Sequence, residues 1–184
     1  MSETEPRVVL VDESDRETGT LGKLAAHEGE GRLHRAFSVF LFDAEGRWLL
    51  QRRAEGKYHF PGLWSNACCS HPVPGEPVEA AARRRLAEEL GLSCPLREAF
   101  SFVYRAKSEA TGLAEHEYDH VFTGICAEEA RPDPAEVAEV RLVPEDELRA
   151  EMAAHPERFT PWFRLAFARV AERGLDGSGR QATR

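Results

Sequence analysis

Short apolar runs separated by polar turns dominate the first part of the chain. The β-branched run RVVLV at Arg7–Val11 is followed by the polar segment DESDRETG, which predicts a strand and then a turn. From Leu33, the sequence LHRAFSVFLF is apolar and aromatic enough for a buried strand, and DAEG at 43–46 is a turn that leads into RWLLQRR. This part of the chain is therefore expected to form strands, two of which pair as a hairpin.

The pattern then changes to a loop followed by a helix. Segment 56–76 contains three prolines and three glycines, which predicts an irregular loop of the kind that often carries function. From Pro77 to Leu90 the apolar residues recur at helical spacing, with Pro77 suited to the first turn and Gly91 to the end.

Strand patterns return after this helix. AFSFVYRA and HEYDHVFTGIC, separated by a polar turn at 110–112, predict two strands, and EVRLV predicts another. Helical patterns follow at 144–154 and 161–173. Strands around one helix with further helices late in the chain indicate an α/β (α+β) sandwich, a mixed β-sheet packed between α-helices. We expect one domain over residues 1–175 and a disordered tail at 176–184.

Composition narrows the class of protein. The chain has 184 residues, of which 42% are hydrophobic and 30% charged, as expected for a globular domain. Its net charge of −8 argues against binding to nucleic acid but allows a small anionic ligand in a locally basic pocket. No run approaches the roughly 20 apolar residues that cross a bilayer, and MSETEPR is not a signal segment, so we expect no membrane partner and a cytoplasmic location. The oligomeric state stays open, and a monomer is compatible with the sequence.

The predicted helix carries a charged motif that resembles the box of the Nudix superfamily, G-x5-E-x7-R-E-U-x-E-E-x-G-U, where U is aliphatic. The matching positions are Glu76, Arg84, Leu86, Glu88, Glu89, Gly91 and Leu92. Ser70 replaces the leading glycine and Arg85 replaces a glutamate. Carboxylates within one helical turn could bind Mg²⁺ that bridges to phosphate, and surface salt bridges are the alternative. The resemblance implies a Nudix-type sandwich, whereas Arg85 puts the hydrolase activity of the superfamily in doubt.

A second set of residues has the side chains of a metal site: His27, His34, His71, Glu115 and Glu117. Each histidine alone is more often a core or surface residue than a ligand. Glu115 and Glu117 are more informative, because residues two apart on a strand project from the same face. Three imidazoles and two carboxylates suit six-coordinate Mn²⁺ or Mg²⁺ better than tetrahedral Zn²⁺, which is not excluded.

Cys69 lies two residues before His71 in the motif NACCSH. A buried structural thiol is one interpretation. The other is a proton donor or acceptor whose pKa is lowered by nearby positive charge. Alternation along an extended segment favours Cys69 over Cys68 for this role, because residues 69 and 71 would face the same way. All four cysteines are expected to be thiols.

The ordered motifs GTLGKLAAH, RLHRAFS, WSNACCSH, FVYRA, EHE and FTPW resemble the type 1 isopentenyl diphosphate isomerases, a branch of the Nudix fold, over about residues 8 to 165. These enzymes of isoprenoid biosynthesis interconvert isopentenyl and dimethylallyl diphosphate, C5 isoprenoid diphosphates. Their own box departs from the hydrolase pattern, so Arg85 supports the resemblance.

The resemblance implies a role for each matching residue. The five His and Glu residues would ligate a metal, while Cys69 and Glu117 would be the acid and base, with Tyr104 hydrogen-bonded near Glu117. Glu89 would hold Mg²⁺ against the diphosphate, and Trp162 would cover the hydrocarbon end and stabilise a carbocation. The positions that match diphosphate contacts are Lys23, Arg53, Lys57 and Arg85. Two alternatives are a Nudix hydrolase of a nucleoside diphosphate derivative and a non-catalytic Nudix domain that binds a metabolite.

Overall fold

The computed structural model of the protein describes residues 5–57 and 59–173. Within these ranges the chain forms one mixed nine-stranded sheet and four α-helices. The strands are β1 (Arg7–Val11), β2 (Glu17–Gly22), β3 (His34–Phe42), β4 (Trp48–Arg53), β5 (Trp64–Ser65), β6 (Cys68–Ser70), β7 (Arg97–Lys107), β8 (Ala114–Ile125) and β9 (Val137–Val143). The helices are α1 (Lys23–His27), α2 (Val78–Leu90), α3 (Glu145–Ala154) and α4 (Pro161–Arg173), with a 3₁₀ turn at Pro156–Arg158.

Strand β3 is the centre of the sheet. It pairs antiparallel with β1, β4 and β6 and parallel with β8, while β2 pairs with β1, β7 with β8, and both β5 and β9 with β4. Nearly all of β3 is buried, which agrees with its almost continuous apolar sequence. A strand covered on both faces needs apolar residues at odd and even positions alike.

Two apolar layers cover opposite faces of the sheet. Alternate β3 residues divide between them, since Phe37 and Val39 pack towards α2 whereas Phe40 and Phe42 pack towards α3 and α4. The α2 layer includes Ala81, Ala82, Leu86 and Leu90, and the α3 and α4 layer includes Leu148, Trp162, Phe163, Ala166, Phe167 and Val170. The predicted α+β sandwich is confirmed. Among the helices of the described ranges, none has the length and apolar character needed to span a bilayer.

The structure corrects several sequence predictions. Segment 56–76 is not wholly irregular, because β5 and β6 lie within it and pair with β4 and β3. The polar segment after β1 enters a strand, β2, and the short helix α1 follows it. Pro77 is the N-cap of α2 rather than part of its first turn, and Gly91 ends that helix in the left-handed conformation, with φ 63°. The predicted tail, 176–184, lies outside the described residues.

The segment before β7 leaves no room for a side chain at Gly124 of β8. A Cβ there would overlap the carbonyl oxygen of Pro95 and lie 3.2 Å from side-chain carbons of Leu41 and Leu96. We expect Gly124→Ala to lower the free energy of unfolding by about 1–3 kcal/mol, measured by urea denaturation, because the backbone at Pro95 must shift. Gly56→Ala is the control, since a Cβ there meets nothing within 4 Å. Equal stability of the two variants would contradict this account of the contact between Gly124 and Pro95.

Candidate active site

One cavity, of about 450 Å³, opens at one end of the sheet beside α1, α2 and the N-terminus of α4. All five predicted substrate residues line it, namely Lys23, Arg53, Lys57, Arg85 and Trp162. The predicted acid/base residues Cys69, Tyr104 and Glu117 line it as well. The tertiary structure therefore collects residues that are spread from position 23 to position 162.

Strand β8 supplies two carboxylates of the cavity. Glu115 and Glu117 alternate along the strand, and both are buried on the same face, as the E-x-E spacing predicts. The parallel register places Glu117 opposite His34, and the antiparallel register with β7 places it opposite Tyr104. Strand pairing thus fixes the position of Glu117 from both sides.

Three imidazoles surround Glu117. The donor atoms of His27, His34, His71 and Glu117 all lie within 4.8 Å of one another. His71 Nε2 is 2.8 Å from Glu117 Oε1 and 3.1 Å from His34 Nε2. This spacing is compatible with a single divalent cation, so the group could hold a metal.

The orientation of the imidazoles also fits a metal centre. Nδ1 of His27 donates to the carbonyl oxygen of Lys23 at 2.6 Å, and Nδ1 of His34 donates to the carbonyl oxygen of Arg32 at 2.7 Å. A carbonyl only accepts, so each neutral ring carries its proton on Nδ1 and directs the Nε2 lone pair into the cluster. Hydrogen bonds of this kind are usual behind metal-ligating histidines.

Glu115 lies at the edge of this group and makes a second one with His27 and His59. His27 Nε2 is 3.1 Å from Glu115 Oε2, yet neither atom forms a hydrogen bond within the described residues. Two buried polar atoms that face each other in this way fit a shared cation. His59 Nδ1 is 3.2 Å from Glu115 Oε1. This histidine is not among the residues predicted from the sequence.

The two carboxylates differ in their electrostatics. Burial acts to raise the pKa of Glu117, but the imidazoles of His34 and His71 beside its carboxylate outweigh burial and hold this pKa well below its ordinary value. The pKa of Glu115 is raised, by burial and by the charge of Glu117. Burial lowers the pKa of His71 well below its ordinary value, so that its ring is neutral and suited to be a ligand.

Cys69 lies on β6 directly opposite Ser38 of β3, and its side chain lines the cavity. The preceding Cys68 is fully buried in the α2 layer, which confirms the predicted alternation. Burial opposes the expected lowering of the Cys69 pKa. Burial raises this pKa to about 12 and outweighs the nearby charges of Arg53 and Lys57. Cys69 is therefore a neutral thiol that carries a proton.

Tyr104 is buried on β7, and its hydroxyl donates to Glu117 Oε2 at 2.6 Å. Burial and the charge of Glu117 raise the pKa of Tyr104 well above its ordinary value, so the hydroxyl keeps its proton. The predicted proximity of Tyr104 to Glu117 is confirmed.

Three basic side chains of the cavity, Arg53, Lys57 and Arg85, are held by defined contacts. Arg53 donates through Nε and Nη2 to the carbonyl oxygen of His59, at 3.1 and 2.9 Å. Lys57 and Arg85 both form ion pairs with Glu136, which directly precedes β9. One carboxylate thus holds two of the predicted diphosphate contacts together.

Glu89 is buried, and it does not belong to the histidine cluster. Its carboxylate accepts from Arg85 Nη2 at 2.6 Å and from Gln51 Nε2 at 3.2 Å. Arg85, at the position of the missing box glutamate, contacts Glu88 and Glu136 as well. An arginine at this place neutralises the carboxylates that would otherwise surround a hydrolytic metal site.

Trp162 is held in one orientation at the start of α4. Its indole Nε1 donates to Ser65 Oγ at 3.0 Å and to Asn66 Oδ1 at 3.1 Å. The ring of Phe60 packs against it edge-on, and the guanidinium of Arg53 lies 5.4 Å from the ring centroid. The indole is therefore a fixed wall of the cavity.

Sequence reasoning missed three residues that the structure adds to this region. Asp119 follows Glu117 on the same face of β8, is buried, and accepts from Ser38 Oγ at 2.8 Å. The alternation E-H-E-Y-D could have indicated it. His59 and Glu136 had no such signal, because both lie outside the helices and strands, where no periodic pattern gives the direction of a side chain.

Comparisons with known proteins identify relatives of the chain. The NUDIX domain model matches residues 32–163. The isopentenyl-diphosphate Delta-isomerase of Nocardia farcinica is 56% identical over 155 residues, which are 84% of this chain and 89% of the relative. The isopentenyl-diphosphate Delta-isomerase 2 of Aromatoleum aromaticum is 50% identical over 181 residues, covering 97% of this chain and 94% of the relative.

Solved structures support the fold alone. A Deinococcus radiodurans protein superposes with a TM-score of 0.70 at 22% identity, covering 92% of this chain and 99% of that one. The MutT protein of Methanosarcina mazei superposes with a TM-score of 0.63 at 18% identity, covering 77% and 94%. The sandwich is thus shared with proteins whose sequences differ greatly from this one.

A ligand that binds only the folded state stabilises it, so the His/Glu cluster predicts metal-dependent stability. We expect Mn²⁺ at about 100 times its Kd to add about 2.7 kcal/mol to the metal-free protein, a rise of roughly 5–10 °C in Tm by calorimetry. His71→Ala should lose most of this rise, whereas His155→Ala, at an exposed position, should keep it. An equal rise in both variants would show that the ion binds elsewhere.

Proposed function

The chain belongs to the isopentenyl-diphosphate Delta-isomerase family of NUDIX-domain proteins, and we propose that it interconverts isopentenyl and dimethylallyl diphosphate. One observation carries the mechanism that we propose. Cys69, a neutral thiol, and Glu117, a carboxylate with a lowered pKa, line the same cavity as the basic residues. A proton donor, a proton acceptor and a place for the diphosphate are thus available to one small substrate.

The reaction moves a double bond by two proton transfers. A proton adds to the terminal carbon of isopentenyl diphosphate as the π bond breaks, which leaves a tertiary carbocation at C3. Loss of a proton from C2 then forms the new double bond of the dimethylallyl product. Because the reaction is reversible, each of the two groups donates in one direction and accepts in the other, which requires one protonated and one ionised partner. Cys69 and Glu117 fit these two roles.

Tyr104 supports Glu117 in this scheme. Its hydroxyl donates to one carboxylate oxygen, while His71 lies against the other. The carboxylate is therefore held in one orientation and cannot turn away from the substrate. Fixed geometry of this kind lowers the entropic cost of reaching the transition state.

The carbocation would be trapped by water unless the site were dry. Trp162 is held by Ser65 and Asn66 and excludes solvent on its side of the cavity. The negative face of an aromatic ring stabilises a desolvated cation by about 2 kcal/mol. We assign Trp162 to the hydrocarbon end of the substrate on these grounds.

The diphosphate takes no part in bond making and serves as an anchor. Lys23, Arg53, Lys57 and Arg85 would bind it, and the carboxylate of Glu136 keeps Lys57 and Arg85 side by side. Binding energy at this remote end positions the five-carbon tail between Cys69 and Glu117. Mg²⁺ held through Glu89 would neutralise part of the diphosphate charge. Arg85, which donates to Glu89 in this structure, would then bind phosphate oxygens instead.

We further propose that His27, His34, His71, Glu115 and Glu117 hold a divalent ion, Mn²⁺ or Mg²⁺ with Zn²⁺ as a third candidate. The ion would supply positive charge beside Glu117 and so favour its ionised form. The residues alone already fix the position of the carboxylate through Tyr104 and His71.

The two alternatives are not favoured. A Nudix hydrolase would use a carboxylate at the position of Arg85, where this chain has a cation in contact with three carboxylates. A domain that only binds a metabolite would not need Cys69 and Glu117 to differ in protonation state within one cavity.

Incubation with isopentenyl diphosphate and Mg²⁺ in D₂O tests the proposed function. The protein should produce dimethylallyl diphosphate that carries deuterium, followed by ¹H and ²H NMR, because each protonation takes hydrogen from a group that exchanges with solvent. Release of inorganic phosphate would instead indicate a hydrolase. Binding without any chemical change would indicate the non-catalytic domain, and either result would overturn the proposal.

The adjacent cysteines allow a matched test of the acid/base role. Cys69→Ala should lower kcat by about 10²–10⁴-fold with an unchanged fold, because it removes one of the two proton-transfer groups. Cys68→Ala is the control, since this thiol is buried in the α2 layer away from the cavity. That variant should lose stability but keep most of kcat, measured by product formation at saturating substrate. A Cys69→Ala protein with full activity would exclude the thiol from the mechanism.

A further inference from the structure

His59 is a fourth imidazole at the histidine cluster. It lies in the segment between β4 and β5, it is buried, and its ring centroid is 4.2 Å from that of His27. Donor atoms of His27, His59 and Glu115 all lie within 4.8 Å of one another, a group that overlaps the one formed by His27, His34, His71 and Glu117. The two groups share His27 and therefore adjoin.

The backbone on either side of His59 is fixed by contacts of the cavity itself. The carbonyl oxygen of His59 accepts two hydrogen bonds from Arg53, and the left-handed Gly62 donates its N–H to the carbonyl oxygen of Arg53. These bonds close the turn over the end of β4 and direct the imidazole inward to Glu115. A backbone held in this way has little conformational freedom left to lose when the side chain binds an ion.

We propose that His59 is a further donor of the metal centre and, with His27 and Glu115, makes one face of it. The inference rests on the His/Glu centre of the proposed function but goes beyond its five ligands. Four imidazoles and two carboxylates form a set that is richer in nitrogen than the five-ligand set. Because imidazole suits Zn²⁺ and Fe²⁺ whereas Mg²⁺ prefers oxygen, His59 would shift the selectivity of the centre towards transition-metal ions.

Nitrogen NMR of the wild-type protein can count the coordinated rings without any substitution. The chain has seven histidines, and the metal-free, ¹⁵N-histidine-labelled protein is titrated with Zn²⁺, which is diamagnetic. Coordination moves the resonance of the bound ring nitrogen, so we expect four rings to respond, those of His27, His34, His59 and His71. A response of only three rings, with that of His59 unchanged, would overturn the inference.

Affinity measurements provide the second test. We expect His59→Gln to weaken Zn²⁺ binding by about 10-fold or more in competition with a chelator, and to weaken Mg²⁺ binding less. His116→Gln is the matched control. His116 lies between the two glutamates on β8, but its Nδ1 faces the carbonyl oxygen of Gly31 at 3.3 Å, away from the cluster. Equal Zn²⁺ affinity in the two variants would overturn the inference.

His27→Ala separates failure of this inference from failure of the metal centre. If His27→Ala loses affinity while His59→Gln does not, the five-ligand centre stands and only His59 is excluded. If the wild-type protein binds no ion, the centre and the inference fail together. Both measurements are made without substrate, so they do not depend on whether the protein is an isomerase.

Discussion

The in-register pairing of β3 with β8 is the constraint on which the active site depends. It places His34 opposite Glu117, while the antiparallel pairing of β7 places Tyr104 opposite the same glutamate from the other side. A shift of one residue in either register would turn Glu117 to the other face of the sheet and separate it from the cavity. The apolar residues of β3 resist this shift, because its two faces pack against different helical layers.

The same pairing buries three carboxyl groups of β8. Glu115, Glu117 and Asp119 follow one another on one face of a buried strand, an arrangement that is costly unless positive charge or hydrogen-bond donors compensate it. His34, His71 and Tyr104 compensate Glu117 directly. The pKa values of Glu115 and Asp119 are raised by burial and by the neighbouring charge. The buried carboxyl groups of this strand could therefore be stabilised by a bound cation.

The cavity brings together two sets of residues to which we assign different roles. Glu136 ties Lys57 to Arg85, the proposed anchoring residues, and the proposed proton-transfer residues Cys69, Tyr104 and Glu117 line the same cavity. Arg53 connects the two, because it contacts both Cys69 Sγ, at 3.6 Å, and the backbone of His59. In the mechanism that we propose, diphosphate binding by the first set would thus orient the hydrocarbon at the second.

The sequence by itself determined the local features. Period-two and helical patterns predicted β3, β4, β8 and α2, the E-x-E spacing predicted two carboxylates on one face, and alternation selected Cys69 over Cys68. The tertiary structure decided what no local pattern contains. It brings His59 to the histidine cluster and Glu136 to the cavity, pairs the strands inside segment 56–76, and buries Cys69 so that its thiol keeps a proton. The reason is physical, since side-chain direction follows from the backbone period of a single element. The burial of a side chain depends on which distant elements pack together. Its pKa, and whether it lies close enough to other side chains to bind one metal ion with them, depend on the same packing.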